Sequence, residues 1–331
     1  MRLLSYITLL SCFYLSLPQQ QPMETNQLVQ AGQLNSETST VSTPSMAMTQ
    51  SPLNGITYSP YLSDSCAPYE KVVKDLKTIS QYAKEIRLYS TDCNQLENVL
   101  KAITEQKLNI KVMLGIWTRD GLERIDSELK EIEKVLNNSE YRSKITRISV
   151  GNEDLTNGIS VAALNQNISL VKKSLKKFNI PIGTVEIGEK LSESESKSII
   201  DNSDFLGVNI HPYFKLLSAI GGIDLTLDYL DTYLDNLTNL IPRSKLIISE
   251  IGLPSAGETI QNYGETSPEV QFEFLQKAAC KLGDWNYFTF EAFDALFKQN
   301  DNSYGGVEQN YGILNEEGNL KAGTIERLLK C

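Results

Sequence analysis

Lys245-Leu-Ile-Ile-Ser-Glu-Ile-Gly-Leu-Pro-Ser255 sets an apolar run, one carboxylate and an abrupt stop side by side. Leu246, Ile247 and Ile248 read as a strand buried on both faces, as in a parallel sheet covered by helices. Gly252 and Pro254 end that strand at once. Glu250 therefore falls at the carboxyl end of a buried strand. A carboxylate there is expensive to desolvate unless it lies at the open end of a sheet or barrel. That end is where such folds carry their chemistry. A strand-end Glu that merely caps the next loop is the competing reading.

Ile145-Thr-Arg-Ile-Ser-Val-Gly-Asn-Glu153 repeats the design: a β-branched run, Gly151, and then a carboxylate preceded by Asn152. Two buried-strand carboxylates in separate βα units predict a pair facing one cavity. Paired carboxylates are the equipment of glycoside hydrolysis, one as acid/base and one as nucleophile. Two such groups share charge poorly, so one carboxyl is expected to be raised.

Outward from these stretches, apolar runs alternate with amphipathic segments. The runs predict strands at 54–59, 85–89, 110–117, 145–152, 181–185, 205–210, 245–251 and 287–293. Helical periodicity predicts helices at 69–83, 93–107, 122–136, 160–178, 192–200, 225–240, 268–282 and 321–329. Eight βα units in series point to an α/β fold, a closed (β/α)8 TIM barrel, rather than an open doubly wound sheet. No Gly-x-Gly-x-x-Gly follows the first strand, which argues against a dinucleotide fold. In this count Glu153 ends strand four and Glu250 ends strand seven, across the barrel mouth from each other.

Residues 1–18 have one charge and a short apolar run and read as a secretory signal peptide, with an uncleaved anchor as the alternative. Residues 19–52 are rich in Gln, Ser, Thr and Pro and predict a flexible segment, either a stalk toward a wall or a passive tail. The barrel is expected over 53–331. The 331 residues carry a formal net charge of −10, which excludes nucleic acid as an expected partner and suits a neutral polymer. Glu326-Arg-Leu-Leu-Lys-Cys331 lacks the hydrophobic tail of a lipid-anchor signal, so no membrane partner is expected. A monomer is expected.

Cys12 lies in the signal, leaving Cys66, Cys93, Cys280 and Cys331. An even count in a secreted chain suggests disulfides. Cys66 and Cys93 fall in the loops of neighbouring βα units, so the expected pairs are Cys66–Cys93 and Cys280–Cys331. Free buried thiols are the alternative. One His and no Cys-x-x-Cys make a metal site improbable, and no cofactor is expected. Asn137, Asn167 and Asn236 begin glycosylation sequons, all in predicted helices or helix ends and hence on the outside.

Several motifs in order now carry a resemblance. They are Gly55-Ile-Thr-Tyr-Ser-Pro-Tyr61, Ile86-Arg-Leu-Tyr89 with Asp92-Cys93, Val112-Met-Leu-Gly-Ile-Trp117 and Val150-Gly-Asn-Glu153. They continue as Val208-Asn-Ile-His-Pro-Tyr-Phe214, Ser249-Glu-Ile-Gly-Leu-Pro-Ser255 and Phe288-Thr-Phe-Glu-Ala-Phe-Asp294. Over about 54–313 the chain resembles fungal members of glycoside hydrolase family seventeen, the β-1,3-glucanases and glucan transglucosylases of the yeast cell wall. The resemblance implies a secreted, cell-wall enzyme that works on β-1,3-glucan by double displacement. Glu153 would be its acid/base and Glu250 its nucleophile. Where the family usually has Trp, this chain has Leu253, and where it often has Trp, Phe297. Ala295 replaces a common acidic or polar residue, and Asp154 stands where a small residue is common.

Asn152 is a candidate donor to the sugar 2-hydroxyl, or else a turn-forming Asn. Tyr213 follows strand six as a residue to hold Glu250 or stack on sugar, or as aromatic core. His211 reads as a packed or hydrogen-bonded strand-end residue in preference to a proton shuttle. Tyr58 and Tyr89 end strands one and two as cleft-lining candidates, with core packing the rival. Glu291, Asp294 and Lys298 follow strand eight as a polar network around the reacting sugar, or as a solvated loop. Trp117 offers a stacking face or core burial. From another class, a non-catalytic glucan-binding wall mannoprotein, an adhesin, is the alternative. A barrel glycosidase for a different β-glucan is a third reading.

Overall fold

Among the described residues eight parallel strands close into a barrel in chain order. They are β1 (Leu53–Thr57), β2 (Ala83–Arg87), β3 (Lys111–Ile116), β4 (Ile145–Val150), β5 (Ile182–Ile187), β6 (Leu206–Ile210), β7 (Leu246–Ile251) and β8 (Tyr287–Thr289). β8 pairs back onto β1, Gly55 opposite Phe288. The computed structural model describes residues 52–330 except 64, 216, 259–263 and 300–302. The expected signal peptide, all but the last residue of the 19–52 segment, and Cys331, the expected partner of Cys280, lie outside the described residues.

Helices cover the barrel: α1 (Tyr69–Ile79), α2 (Gln95–Glu105), α3 (Leu122–Leu136), α4 (Ser139–Arg142) and α5 (Val161–Leu175). They continue with α6 (Gly188–Ser192), α7 (Lys197–Asn202), α8 (Leu217–Thr238), α9 (Pro268–Lys281) and α10 (Ile325–Leu328). α3 shows why they dock. Ile125, Leu129, Ile132 and Leu136 recur at helical spacing and are buried, while Glu123, Asp126 and Lys130 face solvent. Ser160 Oγ accepts the Ala163 amide at 3.2 Å to start α5, and Ser267 Oγ does the same for Val270 at 3.2 Å ahead of Pro268.

Two apolar layers result. One fills the space between strands and helices, with Ile56, Ile86, Leu114 and Ile148 at its inner face. A second cluster of Met113, Val185, Phe205, Ile247 and Phe288 plugs the barrel interior, so the barrel is a packed core and not a pore. Gly207 makes room in it, because a Cβ there would sit 2.7 Å from Val185 Cγ2 and 2.8 Å from Ser249 Oγ.

The register of β7 is irregular where it matters. Val208 pairs with Ile248, yet the next residue, Asn209, pairs with Glu250. One extra residue of β7 is thus accommodated. Strict alternation from the inward-facing Ile247 would turn Glu250 away from the axis, and the bulge turns it back in beside Asn209.

Some expected boundaries fail. The strand expected over 287–293 ends at Thr289, and the Phe290–Glu291 peptide is cis. The helix expected over 192–200 is two short helices, α6 and α7, broken where Glu193 is extended and the buried Ser196 hydroxyl donates to Lys190 O at 2.7 Å. The helix expected over 321–329 shrinks to α10. Leu314 pairs with both Phe293 and Leu320 instead, and Gly323 breaks the run with φ +71°. Those tertiary pairings outweigh local helical propensity.

Candidate active site

The carboxyl ends of the strands open on one cleft of about 980 Å³. Beneath it the barrel interior changes from apolar to polar. Arg87, on β2, is only 1% exposed and reaches across the axis. Its Nη1 donates to Glu250 Oε1 at 2.6 Å and to Ser249 O at 3.1 Å, and its Nη2 donates to Asn152 Oδ1 at 2.7 Å. The Tyr89 hydroxyl donates to Glu250 Oε1 at 3.0 Å, with the Arg87 guanidinium 4.5 Å over its ring. His211 Nε2 meets the other oxygen, Glu250 Oε2, at 3.0 Å.

Burial by itself would raise the Glu250 carboxyl, but the His211 hydrogen bond and the Arg87 charge overcome it and hold it at about 2. The same contact pushes His211 up against the effect of its own burial. Glu250 is therefore ionised, and His211 Nε2 is the donor to it.

Glu153 is held differently. β4 stops at Val150, so Glu153 lies beyond the strand that was expected to end with it. Its backbone is left-handed, φ +55°, and its amide donates to Val185 O at 2.8 Å. Asn209 Nδ2 donates to Glu153 Oε1 at 2.7 Å and to Asn152 Oδ1 at 3.2 Å. Ser249 Oγ donates to Asn209 Oδ1 at 2.8 Å, which fixes that amide. Arg87, Asn152 and Asn209 thus link the two carboxylates, and both carboxylates line the cleft.

Of the other expected residues, Asn152, Tyr89, Glu291, Lys298, Trp117 and His211 also line the cleft. Burial pushes the Glu291 carboxyl up to about 8, against the pull of Lys298 and helped by the negative charge of Glu250. Three expected residues do not reach the lining. The Tyr58 hydroxyl, behind the barrel wall, donates to Asp75 Oδ2 at 2.9 Å. Asp294 turns to Lys321 Nζ at 2.6 Å and the Gly312 amide at 3.0 Å. Tyr213 is 1% exposed, with its ring 5.3 Å from Phe214, which takes the lining position. Among the positions that differ from the family pattern, Leu253 and Ala295 are buried, and Phe297 lines the cleft with its ring 5.1 Å from Tyr61.

Arg87 and Asn209 were not singled out from the sequence. The signal for Arg87 was a cation inside an apolar strand run, which must find a buried partner. Asn209 sits just as visibly between Val208 and Ile210. The expected disulfide Cys66–Cys93 is present, Cα atoms 5.4 Å apart, and it ties two loops at the cleft rim. Among the described residues no group of three His, Cys, Asp or Glu is placed to hold a metal ion, and no helix is long and apolar enough to cross a membrane.

Known proteins share this architecture. The chain is 32% identical to the probable family 17 glucosidase SCW4 of Saccharomyces cerevisiae, over 80% of this chain and 66% of that protein. It is 29% identical to the probable glucan endo-1,3-beta-glucosidase btgC of Aspergillus terreus, over 81% of this chain and 44% of that protein. It thus spans roughly two fifths to two thirds of the length of these curated relatives. An active-site mutant of Rhizomucor miehei beta-1,3-glucanosyltransferase, solved with laminaritriose, superposes with a TM-score of 0.70 at 25% identity. That match covers 82% of this chain and 97% of the other. Residues 55–312 match the BtgE/BtgC glycoside hydrolase domain, and the chain belongs to that family, in line with its resemblance to family seventeen.

Proposed function

We propose that the chain is a secreted, wall-associated retaining glycoside hydrolase or transglucosylase acting on β-1,3-glucan. The observation that carries this reading is the unlike pair in one cleft. Glu250 is kept ionised by Arg87, His211 and Tyr89, and Glu153 is presented by a neutral amide. Glu250 attacks the anomeric carbon while Glu153 gives its proton to the departing sugar oxygen, leaving a glycosyl group on Glu250. Glu153, now a base, takes a proton from water or from an acceptor sugar hydroxyl, and the bond to Glu250 breaks. Arg87 and Asn209 occupy Asn152 Oδ1, so the donor end of that amide is the one offered to a sugar hydroxyl. Glu291 and Lys298 add polar groups to the same lining.

The β-1,3 preference follows the names of the relatives. Secretion and wall location follow the reading of residues 1–52 and the resemblance. Asn137 and Asn236 are exposed and Asn167 is half-buried on outer helices, positions open to N-linked sugars. The protein is proposed to act as a monomer. The test is mass analysis of products from defined β-1,3-oligosaccharides, with β-1,4 and β-1,6 panels beside them. Shortened products mean hydrolysis and lengthened ones transfer. Unchanged β-1,3 substrates overturn the enzyme reading in favour of a binding protein.

A further inference from the structure

We propose that Asp154 is a positioning residue: its buried carboxylate, gripped from the β3 loop by Thr118 and Arg119, holds the turn that presents Asn152 and Glu153. The inference rests on the reading of Glu153 as the acid/base. Asp154 is 0% exposed. Thr118 Oγ1 donates to its Oδ2, the Asn152 amide donates to its Oδ1 at 3.4 Å, and Arg119 Nε lies 3.8 Å from Oδ1. Arg119 also donates from Nη2 to Asn152 O at 2.9 Å and lies 4.3 Å over the Trp117 ring. One carboxylate thereby ties the turn to an aromatic face of the cleft. Glu186 secures the far end, its Oε1 accepting the Leu155 amide at 3.0 Å.

The turn needs this grip because Glu153 is left-handed, a conformation that crowds the Cβ of a non-glycine residue against its own backbone. Such a conformation persists only where the surroundings over-determine it. Relaxed, the same backbone would aim the Glu153 carboxyl elsewhere. Gly151 shows how tight the grip is, since a Cβ there would fall 2.5 Å from Asp154 Oδ2.

A leaving-group comparison on the full chain tests this, reading kcat/KM for the first, bond-breaking step. A β-1,3-oligosaccharide needs a proton on its departing oxygen, whereas a dinitrophenyl β-glucoside of the same length does not. Glu153→Gln should lose about 10²–10⁴-fold on the oligosaccharide and little on the aryl substrate. Asp154→Asn and Thr118→Val should show the same split in milder form, about tenfold on the oligosaccharide and within about twofold on the aryl glycoside. Equal losses on both substrates, or none, in the variants that fold would overturn the proposal. Thr118→Val reaches the same grip from its other side should Asp154→Asn fail to fold. If Glu153→Gln itself shows no split, the acid/base reading fails. If only Glu153→Gln shows it, the positioning role alone fails.

Discussion

The two sides of the cleft mouth solve opposite problems. On the β7 side, Glu250 is part of a strand and is met by a guanidinium, an imidazole and a phenol. On the β4 side, Glu153 stands on a left-handed turn past its strand and takes a side-chain hydrogen bond from the neutral amide of Asn209. In the proposed reaction the first group must stay charged, and the second must both give and take a proton. Cations in a water-poor site serve only the first purpose. The difference teaches that a carboxylate's role is read from its partners rather than from its position at the barrel mouth.

The largest expected effect removes the charged side altogether. Glu250→Gln should lower turnover of β-1,3-oligosaccharides by about 10⁴-fold or more, because no covalent intermediate can form. Near wild-type rates would end the contrast. Next comes Arg87→Met, which leaves a buried carboxylate short of its cation. Breaking a buried pair costs about 3–5 kcal/mol, to be read from urea midpoints.

That variant also carries a pH signature. The Glu250 carboxyl, at about 2 in the fold, lies below its unfolded value near 4.3. Its ionised form therefore stabilises the fold above about pH 5, and this stability is lost as pH falls toward 2. Arg87→Met has less of it to lose, so its stability deficit relative to wild type should shrink between about pH 5 and pH 2. A deficit that grows on acidification would show that Arg87 does not hold the carboxyl down. The raised His211 has the opposite sign, stabilising while protonated and ceasing to do so as pH rises through its folded value.

On the neutral side Asn209→Ala removes the hydrogen bond to the Glu153 carboxylate, about 1.5–3 kcal/mol, together with the neutral hydrogen bonds to Asn152 and from Ser249. It should lower kcat/KM roughly ten- to hundredfold while leaving stability closer to wild type than Arg87→Met does. Equal destabilisation by both would erase the distinction between the sides. The smallest effect lies outside the cleft. Tyr58→Phe should cost about 1 kcal/mol in a melting experiment and leave turnover within about twofold, because its hydroxyl serves Asp75, which Lys71 also holds at 2.9 Å. A large loss of turnover would return Tyr58 to the site.

Much of this was legible beforehand, for a physical reason. The strand runs are apolar on both faces, and the helices carry apolar residues at helical spacing. Those are local signals, so eight βα units and the places of Glu153 and Glu250 could be read directly. The Cys66–Cys93 bridge followed from the same count of units. Orientation was less legible. Tyr58, Asp294 and Tyr213 each follow a strand as a cleft residue would, yet each faces another partner. Asp294 turned away because Lys321, beyond the last strand, folds back onto it. That same return of the chain removed most of the helix expected over 321–329.

The amino-acid order by itself determined that a closed parallel barrel would form and that Glu153 and Glu250 would fall near the carboxyl ends of two of its strands. Short-range periodicity and buried runs are enough for that. Only the tertiary structure decided what those side chains meet. A one-residue bulge in β7 re-aims Glu250, and a left-handed turn carries Glu153 past the end of β4. Closure of the barrel brings Arg87 of β2 to Glu250 of β7. Partners so far apart in the chain are chosen by register and ring closure, which no local stretch of sequence encodes alone.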